Sequence, residues 1–335
     1  MALQCVNNAA IARIACTLPK QCFSLTEYIP SLFDEQSSER MAKRTGFSKL
    51  RIAPDNMTAA DLCQVAAERV LEGVDRNTVG SLVFVTQTPD YAVPATSHVL
   101  QERLHLRNDT LCLDINEGCS GWVEGLYIAA LFCVNTGRSA CLLNGDTLSK
   151  LTSPEDRATR SIFGDAGAAT LIKPGEMRLP FLFKSYGERP GAIILANYYQ
   201  HRQANPKPDG GSLFVALDGG EIMDFSLDEV PAAIGELLEE ESLPKEEISL
   251  YACHQANKLI LRYLADKLQV PREKIPFTAG EIGNESSASI PLVLTDQSTK
   301  ADVSRVLCCG FGVGLSIGVC IADFSRTEFL GVEEI

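Results

Sequence analysis

Three short segments far apart in the chain each carry a polar group suited to thioester chemistry: Cys119 in LDINEGCSGW, His254 in YACHQANK and Asn284 in EIGNESSASIP. A thiol can take an acyl group, and an imidazole and a carboxamide can hydrogen-bond an enolate oxygen, so the trio points to a Cys-His-Asn acyl-condensing site. Singly, each is ambiguous. Twelve cysteines are spread over 335 residues, and a buried thiol is usually only packing. A histidine beside an apolar strand is often a satisfied core group, and the small polar run 283–289 also reads as a turn into a Ser-rich helix cap.

The elements around these residues sharpen the reading. LCLDI (111–115) reads as a short buried strand, Gly118 and Gly121 loosen the turn, and 122–134 is apolar enough for a buried helix. Cys119 therefore sits at a strand-to-helix elbow, where free N–H groups and the positive end of the helix dipole predict a lowered thiol pKa. His254 follows a strand-like run, 248–253, and precedes an amphipathic helix, 258–268, with apolar Leu259, Ile260, Tyr263 and Leu264. The other histidines lack this setting: His98 and His105 flank a helical stretch and His201 lies in a polar loop.

Strand-like runs (80–86, 111–115, 140–144, 168–172) alternate with helical ones (59–73, 97–104, 122–134), which indicates an α/β architecture. The second part repeats the order with helix 227–238, strand 248–253, helices 258–268 and 289–299, strand 305–309 and then GFGVGLSIGV. The pattern reads as an internal duplication, 1–173 carrying the cysteine and 174–335 the histidine and asparagine. A pseudo-twofold relating the Cys119 and His254 elbows would bring them to one central site, and a Gly-rich hairpin closes each half (FGDAGAATLI and GFGVGLSIGV). Between the halves, 173–220, with its polar run 200–211, reads as loop or cap.

At 45% hydrophobic the chain can bury a large core, and its length allows about two domains. No apolar run approaches the ~18 residues needed to span a bilayer, and the N-terminus lacks the basic-then-apolar order of a signal peptide, so the cytoplasm is the expected location. The cysteines show neither framework spacing nor CxxC, and read as reduced thiols with no structural metal. A net charge of -13 argues against nucleic acid as a partner. An acidic partner would need a local patch, such as Arg40, Lys43, Arg44, Lys49 and Arg51, or Lys258, Arg262 and Lys267; each cluster alone also reads as a solvated face. GFGVG is no dinucleotide loop, because the glycines run into the strand-like LSIGVCIADF rather than a helix.

Further motifs complete the pattern: Arg44-Thr45-Gly46-Phe47 then Arg51-Ile52-Ala53, TQTPDYAVPATSHVLQ, SPEDRATRSIFGDAGAA and GFGVGLSIG. With HQAN and GNxSxASxP, the chain resembles the β-ketoacyl-acyl carrier protein synthase III family of the thiolase superfamily over nearly its whole length. The resemblance implies a thiolase-like duplicated five-layered α/β/α/β/α sandwich, a homodimer, and no resident cofactor beyond coenzyme A thioester as substrate. It implies that Cys119 takes an acyl group from an acyl-CoA or acyl carrier protein donor, while His254 and Asn284 handle malonyl-acyl carrier protein; decarboxylative Claisen condensation then gives a 3-oxoacyl thioester. The Cys119 N–H, with one from the stretch holding Phe311 and Val313, would bind the oxyanion. Arg44 and Arg157 match the family's coenzyme A contacts, and Asn257 falls among substrate-binding positions. Arg40 stands where the family has a tryptophan that stacks on adenine, which favours a carrier-bound donor. Val93 replaces a phenylalanine that narrows the acyl pocket from across the dimer, which implies room for a longer or bulkier acyl group. Lys258, Arg262 and Lys267 are the expected carrier-docking cations. Two alternatives stay open: an acyltransferase of the same fold acting on an amine or hydroxyl, and a non-catalytic subunit of a heterodimer.

Overall fold

Strands that alternate two sets of apolar side chains must be covered on both faces, and the core strands of this chain do so. The structure, a computed structural model, describes residues 3–195 and 214–335. The first part contains β1 (Gln4–Leu18), β2 (Cys22–Ser24), α1 (Leu25–Tyr28), α2 (Glu35–Thr45), β3 (Lys49–Arg51), α3 (Ala59–Val70), β4 (Val79–Val85) and α4 (Thr96–Arg103). It continues with β5 (Leu111–Ile115), α5 (Gly121–Thr136), β6 (Ser139–Asp146), α6 (Arg157–Arg160) and β7 (Ala166–Ser185). Then follow β8 (Ile193–Ile194), β9 (Ala216–Leu217), α7 (Gly219–Glu240), β10 (Leu250–Cys253), α8 (Lys258–Leu268), α9 (Ser289–Gln297), β11 (Val306–Gly312), β12 (Ser316–Ala322) and β13 (Glu328–Glu334).

The principal sheet runs β10-β11-β12-β7-β6-β4-β5, with β1 beside β7 and β13 beside β1. Its side chains separate into three apolar layers. Val83 and Val85 of β4 and Val306 and Cys308 of β11 face a central layer containing α5 and α9. Leu82 and Phe84 of β4 face α3 and α4, while Leu307 and Cys309 of β11 face α7 and α8. Helix, sheet, helix, sheet, helix is thus the order of packing, the five-layered thiolase-like sandwich. Helix α5 is apolar nearly all round, as a central helix must be.

Two expectations are corrected. The stretch after residue 173 is not loop throughout, because β7 runs unbroken to Ser185, pairing first with β6 and then, at Phe181–Ser185, with β12. Residue 173 lies inside this strand. The polar run 200–211 lies outside the described residues. Nor does the His254 elbow mirror the Cys119 elbow: α8 is an outer helix, and the helix that shares the central layer with α5 is α9, which follows Asn284. Among the described residues no helix is long and apolar enough to cross a membrane. The cysteines are free thiols.

Candidate active site

Strand β5 ends at Ile115, and the chain turns through 116–120 into α5, leaving Cys119 one residue before the helix N-cap at 9% exposure. The hairpin between β11 and β12 closes over it. At Gly312 (φ +156°) a Cβ would stand 2.8 Å from the Cys119 Cβ and 2.9 Å from Sγ, so only glycine lets this backbone rest on the sulphur. The next amide, Val313 N–H, and Cys119's own N–H lie near enough to the sulphur to favour its charged form.

His254 extends the β10–β11 ladder, its N–H donating to Cys309 O at 2.8 Å, and it is buried with its ring edge-on to Phe311 at 5.6 Å. Its Nδ1 lies 2.8 Å from Ser289 Oγ, and that hydroxyl donates to Ser286 O at 2.8 Å. A hydroxyl has one proton, so Nδ1–H donates to Ser289 and Nε2 keeps its lone pair. Burial drives the imidazole pKa down to about 3, and the Ser286 carbonyl opposes this only in part, so the ring is neutral at physiological pH.

Asn284 is pinned by its backbone between Ile162 O (2.7 Å) and Gly164 N (3.1 Å). Its Oδ1 accepts from Ser286 N at 3.0 Å, which leaves Nδ2–H without a partner among the described residues. Cys119, His254, Asn284, Asn257, Phe311 and Val313 line one cavity of about 160 Å³. Asn257 also caps α8, accepting from Ile260 N at 2.8 Å. A second cavity of about 540 Å³ adjoins the first, sharing Gln87, Leu148, Ile193, Val215 and Val313 with it.

The expected low thiol pKa is overturned. Burial pushes Cys119 up to about 12, the nearby Asp146 charge adds to this, and the Val313 amide, Ser286 hydroxyl and Cys119 amide only partly offset it. A rise from 9.0 to about 12 corresponds to about 4 kcal/mol, against roughly 1–2 kcal/mol from a helix N-terminus, so desolvation wins and the resting group is a thiol.

The cations lie on the surface, outside both cavity linings. Arg44 occupies the last turn of α2, and at Gly46 (φ +93°) a Cβ would meet the Lys258 Cβ at 2.6 Å, so the end of α2 abuts the start of α8. Arg262 is exposed one turn along α8. Arg157 stacks its guanidinium on Phe33 at 4.2 Å, and with Arg40 it lies near Asp34, whose carboxyl is held low first by Ser37 hydrogen bonds and then by these arginines. Two further expected residues lie apart from these cations. Lys267 pairs with Asp228 at 3.7 Å at the far end of α8, about 13 Å along the axis from Lys258. Val93 is 85% exposed and lines neither cavity of its own chain, the expectation having set it against a partner's pocket.

Some site residues escape a reading of the sequence. Asp146, fully buried at the end of β6, accepts from Gln87 N (2.7 Å), Thr86 Oγ1 (3.1 Å) and Thr88 Oγ1 (3.3 Å). Its only signal was an acid closing an apolar strand. Ser286 and Ser289 stood in plain view within GNESSAS but read as helix cap. Ser286 Oγ makes no well-formed hydrogen bond of its own and lies near enough to Cys119 and Asp146 to lower the pKa of each.

Two arms of one sheet that enclose α5 and α9, with a thiol supplied by one half and an imidazole and carboxamide by the other, define a thiolase-fold enzyme of acyl-thioester chemistry. Sequence relationships narrow the class. Residues 113–187 match the family 3-oxoacyl-[acyl-carrier-protein] synthase III, and 238–324 match its C-terminal region. The chain is 32% identical to β-ketoacyl-[acyl-carrier-protein] synthase III of Lactobacillus delbrueckii subsp. bulgaricus, over 93% of this chain and 98% of that one. It is 32% identical to the synthase III of Gloeobacter violaceus, over 90% and 94%. The crystal structure of 3-oxoacyl-(acyl-carrier protein) synthase from Burkholderia xenovorans LB400 superimposes with a TM-score of 0.91 at 31% identity, covering 100% of this chain and 99% of that one. The chain belongs to the 3-oxoacyl-[acyl-carrier-protein] synthase III family.

Proposed function

We propose that this enzyme joins an acyl thioester to malonyl-acyl carrier protein through an acyl-Cys119 intermediate, releasing carbon dioxide and a 3-oxoacyl thioester. The observation that carries the reading is the meeting of Cys119, His254 and Asn284 in one cavity with the Val313 amide on the sulphur.

In the first half-reaction His254 Nε2 takes the thiol proton as sulphur attacks the donor carbonyl. The Cys119 and Val313 N–H groups hold the oxyanion, the donor C–S bond breaks, and the proton passes to the departing thiolate. In the second, the malonyl carboxylate leaves as carbon dioxide and its electron pair moves to the thioester oxygen. Asn284 Nδ2–H donates to that oxygen. His254 donates too, once the Ser289 hydroxyl swings its proton from Ser286 O to Nδ1 and the ring proton resides on Nε2. The enolate carbon attacks acyl-Cys119, the C–S bond breaks, and a solvent proton restores the thiol.

Acyl-CoA or an acyl carrier protein brings the donor, and the chemistry calls for no resident cofactor or metal. Lys258, Arg262 and Lys267 form the basic face to which we assign an acidic carrier; Arg44 and Arg157 hold the donor's phosphates, with Arg40 beside them. A homodimer is supported by β5, which ends the sheet with one edge unpaired among the described residues and exposes Leu111 (49%) and Leu113 (36%). Free thiols suit a reducing cytoplasm.

The test is intact-mass analysis of the protein with acyl-CoAs and acyl carriers, beside Cys119→Ala and Asn284→Ala. Condensation requires an adduct lost in Cys119→Ala and a 3-oxoacyl product lost in Asn284→Ala. An Asn284→Ala protein that still passes acyl groups to an amine or hydroxyl would mark a heteroatom acyltransferase, and absence of any adduct would mark a non-catalytic subunit.

A further inference from the structure

Among the described residues the throat between the two cavities is apolar, formed by Leu148, Ile193, Val215 and Val313, except for one residue, Gln87. Its position is fixed. The Gln87 amide N–H donates to the buried Asp146 carboxylate at 2.7 Å, and the hydroxyls of Thr86 and Thr88 on either side donate to the same oxygen. Its side chain lies against the catalytic elbow, since a Cβ added to Gly118 would fall 2.5 Å from Gln87 Oε1. Gly118 immediately precedes Cys119, so the carboxamide stands beside the path that an acyl chain takes away from the sulphur.

This carboxamide offers two donors and an acceptor, and it makes no hydrogen bond among the described residues. The other polar side chains of the larger cavity are differently placed. Both Asp114 oxygens are committed, to Thr96 N (2.6 Å) and Ser97 N (2.8 Å), Thr86 is committed to Asp146, and Asn116 and Tyr91 are exposed. A plain alkanoyl chain in the throat would strip water from Gln87 and give nothing back, and such a mismatch costs on the order of tenfold to a hundredfold. Small-molecule sites are mostly apolar, with a few placed polar groups that set orientation and selectivity.

Resting on the acyl-Cys119 reading above, we propose that Gln87 selects donor acyl groups bearing a hydroxyl or carbonyl oxygen within the first few carbons of the thioester, with 3-hydroxyacyl groups the type case. Gln87 hydrogen-bonds that oxygen as the acyl group transfers to Cys119, and the larger cavity receives the remaining chain.

The experiment measures the rate of acyl-Cys119 formation by quenching and intact mass. The donors are octanoyl and racemic 3-hydroxyoctanoyl thioesters, each on coenzyme A and on an acyl carrier protein, with the wild type and Gln87→Met. The wild type is expected to take 3-hydroxyoctanoyl at least about tenfold faster than octanoyl from the same carrier, and Gln87→Met to bring the ratio near one. Should Gln87→Met not fold, Gln87→Asn, which withdraws the carboxamide by one methylene, is expected to lower the ratio in the same sense. Equal wild-type rates, or a ratio the variant leaves unchanged, overturn the role of Gln87 while the adducts themselves uphold the enzyme reading. No adduct from any of the four donors overturns both.

Discussion

Alkylation of Cys119 by iodoacetamide distinguishes a resting thiol from a thiolate held by its elbow. With burial raising the pKa from 9.0 to about 12, the thiolate fraction at pH 8 falls roughly a thousandfold below that of an ordinary thiol. A helix dipole worth as much as about 2 kcal/mol recovers part of this and still leaves a deficit of about thirtyfold. The neighbour supplies no compensating charge, because His254, with a pKa of about 3, is neutral. Burial disfavours both members of a thiolate–imidazolium pair, since it raises the thiol pKa and lowers that of the imidazole. Proton transfer must therefore accompany attack on the thioester rather than precede it. The assay follows the mass gain on the peptide carrying Cys119 from pH 5 to 9.5, with Cys119→Ala as blank. The rate constant is expected to climb about tenfold per pH unit across the range, without a plateau, while acylation by a true donor stays nearly flat because His254 acts as base throughout. An alkylation plateau above about pH 7.5 would refute the reasoning and show that the helix dipole outweighs burial at this sulphur.

Ser289→Ala leaves His254 Nδ1–H only the Ser286 carbonyl and locks Nε2 as an acceptor, so acylation is expected to hold within about threefold while decarboxylation of malonyl-carrier falls about a hundredfold. Equal losses in both steps would contradict the rotor. Gly312→Ala drives a methyl to 2.9 Å from the sulphur and shifts the Val313 amide, and acylation is expected to drop a hundredfold or more with a stability loss of about 1–3 kcal/mol. Glu285 is buried with Oε2 unpartnered, and burial raises its pKa from 4.5 to about 8. The unfolded chain releases this proton from pH 4.5 and the folded chain only near 8, so its contribution to stability falls as pH rises through that window. Glu285→Gln is expected to gain about 4 kcal/mol in urea unfolding at pH 8 and almost nothing at pH 4, and a pH-independent difference would disprove the assignment. Leu111→Glu with Leu113→Glu is expected to yield monomers by light scattering if the β5 edge is the dimer seam.

The local elements and the identity of the chemistry are written in the amino-acid order alone. The helix 258–268 stands where its apolar period placed it, the strand 111–115 has its expected bounds but is a partly exposed edge strand rather than a buried one, and α5 extends the apolar run 122–134 by only a residue or two at each end. Such patterns are local, set by side chains within a few residues of one another. HQAN and GNESSAS were legible for the same reason, since each motif is contiguous. Long-range packing governs what depends on residues distant in the chain: that β7 continues past 173 to reach β12, that α9 rather than α8 partners α5, and that Lys267 pairs with Asp228 of α7. It also reversed the expected charge state of Cys119. A pKa is the balance of every group around an atom, and here the desolvation comes from a hairpin and a helix some 170 to 190 residues further along the chain, which no local pattern records.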